Sequence, residues 1–148
     1  MKRKLVILVA DDDPRDLELI HLALARDGIL VDLHEVHDGE KVVQYLEGTD
    51  GFTDRAKYPF PDLLLIDLKM PKMDGLEVLE WLQKHPACKR LPRVMLSGSG
   101  LDKDVEEAYR RGANTYFAKP TSFKDFQGLI KVLIEYWSRS QRPRIGQC

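Results

Sequence analysis

Residues 4–16 read KLVILVADDDPRD. An aliphatic run, Leu5 to Ala10, passes without a break into Asp11, Asp12 and Asp13. A short continuous apolar run bounded by charge reads as a strand buried on both faces of a parallel sheet. Three adjacent carboxylates repel one another, and each raises the proton affinity of its neighbours. A fold carries such a cluster where a cation, either a metal ion or a lysine, compensates it. The same stretch imitates a signal peptide, because MKRK precedes LVILVA. The apolar run is too short for that, since a signal core needs roughly seven to fifteen residues and then a small-residue cleavage site.

The chain has 148 residues, which suits one domain. Its formal net charge of −1 gives no global basic field for nucleic acid, and no polybasic run points to a membrane surface. No stretch approaches the roughly 20 apolar residues of a membrane span. A cytoplasmic protein is expected. Cys88 and Cys148 lack Cys-x-x-Cys spacing and are expected as two reduced thiols. His34 and His37 resemble a ligand pair, but they fall three apart in an expected strand. They therefore point to opposite faces.

Strand and helix signals alternate along the chain. Asp13 reads as an N-cap with Pro14 at the first helical position. Leu17, Ile20 and Leu24 recur at helical spacing, and Gly28 stops that helix. Leu30 to His37 is an expected second strand, and Asp38-Gly39 opens a second helix carrying Val42, Val43 and Leu46. Gly48 to Pro61 reads as a long polar loop. Asp62 to Leu68 is the third strand. Asp74 and Glu77 have capping-box spacing at the head of a third helix with Leu76, Leu79 and Leu82 as its stripe. Arg93 to Leu96 is a fourth strand, 102–111 a helix closed by Gly112, and Thr115 to Ala118 a fifth strand. Ser122 and Asp125 cap a last helix with Phe126, Leu129, Ile130, Leu133 and Trp137 on one face. The expected domain runs over 1–138. Residues 139–148 form a short polar tail whose arginines, Arg139, Arg142 and Arg144, read as solvated.

Five βα units give an α/β fold with a parallel sheet covered on both faces. The reactive edge of such a sheet is the carboxyl end of its strands. The first strand delivers Asp11 and Asp12 there, the third Asp67, the fourth Ser97 and the fifth Lys119. Hard oxygen ligands suit Mg2+, which takes one or two carboxylates and keeps several waters. A carboxylate can also accept a phosphoryl group, and that transfer needs mostly positioning and charge neutralisation. Each residue alone has a plainer reading: a helix cap, a strand end, a turn hydroxyl, a surface lysine. Their agreement at one edge favours the chemical one.

The stretches VADDDP, LLLIDLKMPKMDGLEVL, VMLSGSG and GANTYFAKP resemble the motifs of the receiver domain of two-component response regulators. The resemblance runs from about residue 4 to the last helix. It implies a flavodoxin-like, doubly wound (βα)5 sandwich with strand order 2-1-3-4-5. It implies Asp67 as phosphoacceptor, Asp11 and Asp12 as the acidic pair, and the Lys69 backbone carbonyl as completing a Mg2+ shell. Lys119 matches the family lysine, Ser97 the switch hydroxyl and Tyr116 the switch aromatic. Lys69 and Ser99 hold positions that tune hydrolysis. Asp13 departs from the commoner Asn or other polar residue and is read as a helix cap. The implied partners are a sensor histidine kinase and a separate downstream effector. The switch face, made by the fourth helix, fifth strand and fifth helix, would dock a target or form a homodimer. The loop around Asp50 to Pro61, with MPKMDGLEVL, further resembles single-domain regulators that serve phytochrome-type kinases. Such a protein is not a turnover enzyme and catalyses only its own phosphorylation and dephosphorylation.

Three rivals are weaker. Haloacid-dehalogenase-type phosphatases also form an aspartyl phosphate with magnesium. Their Asp-x-Asp continues into Gly and Thr or Val, whereas Pro14-Arg15 follows here. A non-phosphorylated docking module would have lost the acceptor, the lysine or the acidic pair. A flavodoxin-type carrier needs a phosphate-binding loop where this chain has an acidic cluster.

Overall fold

The first strand, β1 (Leu5–Ala10), shows how the molecule is layered. Leu5, Ile7 and Val9 point into one apolar cluster, while Leu8 and Ala10 point into another. Alternate residues of one strand therefore serve two cores, which is why the run has no polar member. The computed structural model describes residues 4–26 and 30–142. Around β1 it contains α1 (Pro14–Arg26), β2 (Val31–Val36), α2 (Gly39–Glu47), β3 (Leu63–Ile66), α3 (Gly75–Gln83), β4 (Arg93–Ser97), α4 (Asp102–Arg110), β5 (Thr115–Ala118) and α5 (Phe123–Arg139). The strands form one sheet in the order β2-β1-β3-β4-β5. Every neighbouring pair is parallel. This is the flavodoxin-like receiver arrangement that the resemblance implied.

Leu17, Ile20 and Ala23 of α1 and Phe126, Ile130, Leu133 and Ile134 of α5 cover one face of the sheet. Residues of α2, α3 and α4, among them Val42, Leu46, Val78, Leu79, Leu82 and Ala108, cover the other. The sequence signals at helix starts are present. Asp13 accepts from the Arg15 N–H at 2.9 Å. Asp38 accepts from Lys41, and Asp74 with Glu77 makes a reciprocal capping box. Ser122 accepts from the Asp125 N–H at 3.1 Å. No described helix is long and apolar enough to cross a membrane.

Four expectations change. The loop between α2 and β3 is less polar than its composition suggests, because Phe52, Tyr58 and Phe60 pack on the core. Arg55 donates to the carbonyls of Tyr45, Leu46 and Tyr58 and closes the carboxyl end of α2. A 3-10 turn, Pro86–Cys88, precedes β4, and the sequence pattern does not announce it. Cys88 is fully buried and disulfide-bonded, against the expectation of a reduced thiol. Sequence spacing carries no signal for that, because proximity in the fold decides whether two sulfurs meet. Arg142 is not a solvated tail residue: its side chain is 8% exposed, and it donates to the Trp137 carbonyl at 2.6 Å. A cation there satisfies orphan carbonyls at the end of α5, which extends one residue past the expected boundary at 138. Gly28, Arg144 and Cys148 lie outside the described residues.

Candidate functional site

The sheet order brings the ends of β1, β3, β4 and β5 to one edge. β1 stops one residue before Asp11, whose N–H still donates to the Val36 carbonyl of β2 at 3.1 Å. β3 stops one residue before Asp67, whose N–H donates to the Ala10 carbonyl at 2.9 Å. These two ladder bonds fix both carboxylates beside each other. Lys119 follows β5 directly, and its N–H donates to the Ser97 carbonyl at 2.7 Å.

The Lys119 ammonium then reaches three carboxylates. It donates to Asp16 Oδ2 at 2.7 Å, Asp11 Oδ2 at 2.8 Å and Asp67 Oδ2 at 3.1 Å. Its side chain is only 10% exposed. Burial opposes the charge, but the hydrogen bonds to Asp11 and Asp16 and the charges of Asp67 and Asp11 outweigh it and raise the lysine pKa. Asp11 responds to burial in its own sense. Desolvation pushes its carboxyl up to about 6, against the Lys119 bond and the Asp13 N–H, which favour the charged form. Asp67 is clamped on its second oxygen by the Leu68 N–H at 2.7 Å.

Asp11, Asp12 and Asp67 each offer a carboxylate oxygen, and the three atoms lie within 4.8 Å of one another. Asp11 and Asp67 are buried, whereas Asp12 is exposed. A trio of hard donors with one open side fits a divalent cation that keeps part of its water shell. Lys69 is exposed on the loop after Asp67. That loop is held by two close approaches. The Gly39 N–H donates to the Met73 carbonyl at 3.0 Å, and the Gly75 N–H to the Leu68 carbonyl at 2.8 Å. A Cβ on Gly39 would sit 2.1 Å from the Met73 oxygen, and one on Gly75 2.3 Å from the Asp67 oxygen. No larger residue fits either position without moving the acceptor loop's own backbone.

Ser97 is buried at the same edge, and its hydroxyl accepts from the Ser99 N–H at 3.3 Å. Ser99 is drawn into the start of α4: its hydroxyl donates to Asp104 and accepts from the Leu101 N–H. Leu101, the N-cap residue, has no side chain that can accept a cap hydrogen bond, so these Ser99 bonds are the polar side-chain contacts that tie the turn to the helix start. Tyr116 is half-buried, its hydroxyl donates to the Ser99 carbonyl at 2.7 Å, and its N–H donates to the Tyr109 hydroxyl at 3.1 Å. A chain of contacts thus links Ser97, Ser99, Tyr116 and α4.

The structure therefore brings Asp11, Asp12, Asp67 and Lys119 together, with Ser97, Ser99 and Tyr116 forming an adjoining group. The sequence reading missed Asp16. An acid in the first turn of a helix has an ordinary explanation in the helix dipole, so its type and place gave no separate signal. The expected separation of His34 and His37 holds: His34 lies 2.9 Å from Asp32 and beside Tyr45 and Tyr58, while His37 is exposed near Glu35.

The fold that carries this site is shared with known proteins. The response regulator receiver domain family matches residues 7–131. The response regulator Rcp1 of Synechocystis sp. is 31% identical over 132 residues, covering 89% of this chain and 88% of its own. The Mn(2+)-bound form of Rcp1 superposes with a TM-score of 0.86 at 30% identity, over 95% of this chain and 99% of that one. The phosphorylated cyanobacterial phytochrome response regulator RcpA gives 0.88 at 30% identity, over 96% and 100%. RPA3017, a response regulator in red light signaling of R. palustris, gives 0.88 at 34%, over 95% and 99%. Fold and strand order agree with these matches, and the chain belongs to the response regulator receiver domain family, the phosphorylation-based signalling proteins of two-component systems.

Proposed function

We propose that Asp67 accepts a phosphoryl group from a histidine kinase, and that the acidic trio holds Mg2+ while it does so. The observation that carries this reading is the Lys119 ammonium bonded to Asp67 Oδ2 beside a trio of metal-competent oxygens. An Asp67 oxygen attacks the phosphorus of phosphohistidine in line. The new P–O bond forms as the P–N bond breaks, and the electron pair leaves with the imidazole nitrogen, which takes a proton. Leu68 N–H and Lys119 hold the acceptor's two oxygens, so the attacking atom is oriented before the donor arrives. When bound by Asp11, Asp12, Asp67 and the Lys69 carbonyl, Mg2+ supplies charge neutralisation for the phosphoryl oxygens. Lys119 donates to another of those oxygens and Ser97 to a third. Water attack on phosphorus later returns inorganic phosphate and the free carboxylate, with Lys69 and Ser99 tuning that step.

The added negative charge shifts a two-state equilibrium. The Ser97 hydroxyl moves to the phosphoryl group and releases the Ser99 N–H. The Tyr116 hydroxyl, tied to the Ser99 carbonyl, reports that movement to the α4-β5-α5 face. A separate effector or a second copy of the chain reads that face. The phytochrome association of RcpA, and the red light signaling role of RPA3017, support a phytochrome-type histidine kinase as donor. The receiver unit is taken as 1–138 with 139–148 as its tail, and the cytoplasm as its compartment.

Intact mass after incubation with Mg2+ and acetyl phosphate tests the acceptor. One added phosphoryl group in the wild type, absent in Asp67→Asn, is expected. Equal labelling of the two proteins would overturn the assignment of Asp67.

A further inference from the structure

An ammonium has three protons and no more. In this chain all three are taken, by Asp11 from the end of β1, Asp67 from the end of β3, and Asp16 from the first turn of α1. The bond to Asp16 is the shortest at 2.7 Å, and the bond to the acceptor is the longest at 3.1 Å. The Asp16 side chain is 21% exposed and the lysine 10%, so little water is at hand to replace either partner. Asp16 lies outside the trio that could hold a metal ion. A metal there takes up charge on Asp11, Asp12 and Asp67 but leaves Asp16 to the lysine.

We propose that Asp16 is a positioning residue that holds the Lys119 ammonium on the α1 side of the site, so that a phosphoryl group must draw the lysine away from it. The inference rests on the reading of Asp67 as phosphoacceptor. Phosphorylation converts the acceptor from a single charge into a group of roughly two negative charges. That group competes for the ammonium with a carboxylate that phosphorylation leaves unchanged. Asp16 also adds a negative charge of its own beside the phosphoryl oxygens. Both effects act in one direction: they disfavour the phosphorylated site.

Asp16→Asn separates charge from shape, since the amide oxygen still accepts one hydrogen bond from Lys119. Beryllofluoride with saturating Mg2+ serves as the phosphoryl probe, titrated calorimetrically into the wild type, Asp16→Asn, Asp16→Ser and Asp16→Glu. Replacing the ion pair by a bond from the ammonium to an uncharged amide oxygen should tighten binding about five-fold in Asp16→Asn. Asp16→Ser should shift the same way, which keeps the test decisive if the Asn protein folds poorly. Asp16→Glu keeps the charge and should stay near the wild type. A merely structural role would lower the melting temperature without tightening binding. Unchanged or weaker binding in folded Asn and Ser variants overturns the role of Asp16. A wild type that neither binds the probe nor gains a phosphoryl group removes the acceptor reading itself.

Discussion

Two buried cations sit at opposite edges of the same sheet. Lys119 follows β5 at the carboxyl edge and is surrounded by carboxylates. Arg93 begins β4 at the other edge, is 3% exposed, and donates to the carbonyls of Leu91, Cys88 and Lys89. Burial lowers the Arg93 pKa, yet guanidinium stays charged at any ordinary pH. Its acceptors are main-chain oxygens that no chemistry in the cell alters. Two of the lysine's three acceptors, Asp11 and Asp67, are the side chains that the proposed function has gaining a metal or a phosphoryl group. One cation is fixed by partners that never change, and the other is shared between Asp16, which stays as it is, and two partners that change under the proposed function. Under the proposed function, that difference separates a structural cation from a signalling one more sharply than burial does, since both are buried.

The comparison breaks most visibly at the lysine. Lys119→Met should reduce labelling by acetyl phosphate about 100-fold, the usual loss when a group stabilising developing charge is removed. Labelling rates measured at saturating Mg2+ would test this, and a rate near the wild type would return Lys119 to a purely structural role. Arg93→Met should do the reverse. It strands several buried carbonyls, each worth about 1–3 kcal/mol, so stability should fall by about 3 kcal/mol. Labelling of the folded protein should be unaffected. Urea unfolding with a parallel labelling assay checks both halves, and a labelling defect in Arg93→Met would erase the distinction between the two edges.

The smallest effect sharpens the picture of the carboxyl edge. Asp12 is the exposed member of the acidic trio. Asp12→Asn removes like-charge repulsion that water already screens, so the metal-free protein should gain less than about 1 kcal/mol, or roughly 1–3 °C in melting temperature. Mg2+ binding should weaken at the same time. Melting curves with and without Mg2+ would show the two shifts in opposite directions. A metal-free melting point that stays or falls would mean that repulsion among the aspartates costs the fold nothing.

Much of the fold and of the carboxyl edge is legible in the chain itself. Continuous apolar runs at Leu5–Ala10 and Leu63–Ile66 announce strands buried on two faces. The polar residues that end those runs must then lie on one edge, because parallel strands end on the same side. The alternation of strands and helices is thus enough to gather Asp11, Asp12, Asp67, Ser97 and Lys119 at one edge. It relies only on local periodicity, which a linear sequence encodes directly.

The partnerships that span the fold are not legible in that way. Asp16 meets Lys119 across 103 residues, and Tyr116 meets the Ser99 carbonyl from the neighbouring strand's loop. Arg93 and Arg142 look like surface cations by type, yet each is buried against main-chain oxygens. A sequence lists which groups a chain owns and, through its periodicity, which face each will take. Which hydrogen bond a long flexible side chain completes depends on distances set by packing. The fold therefore decided the lysine's third partner, and with it the balance of charge at the site.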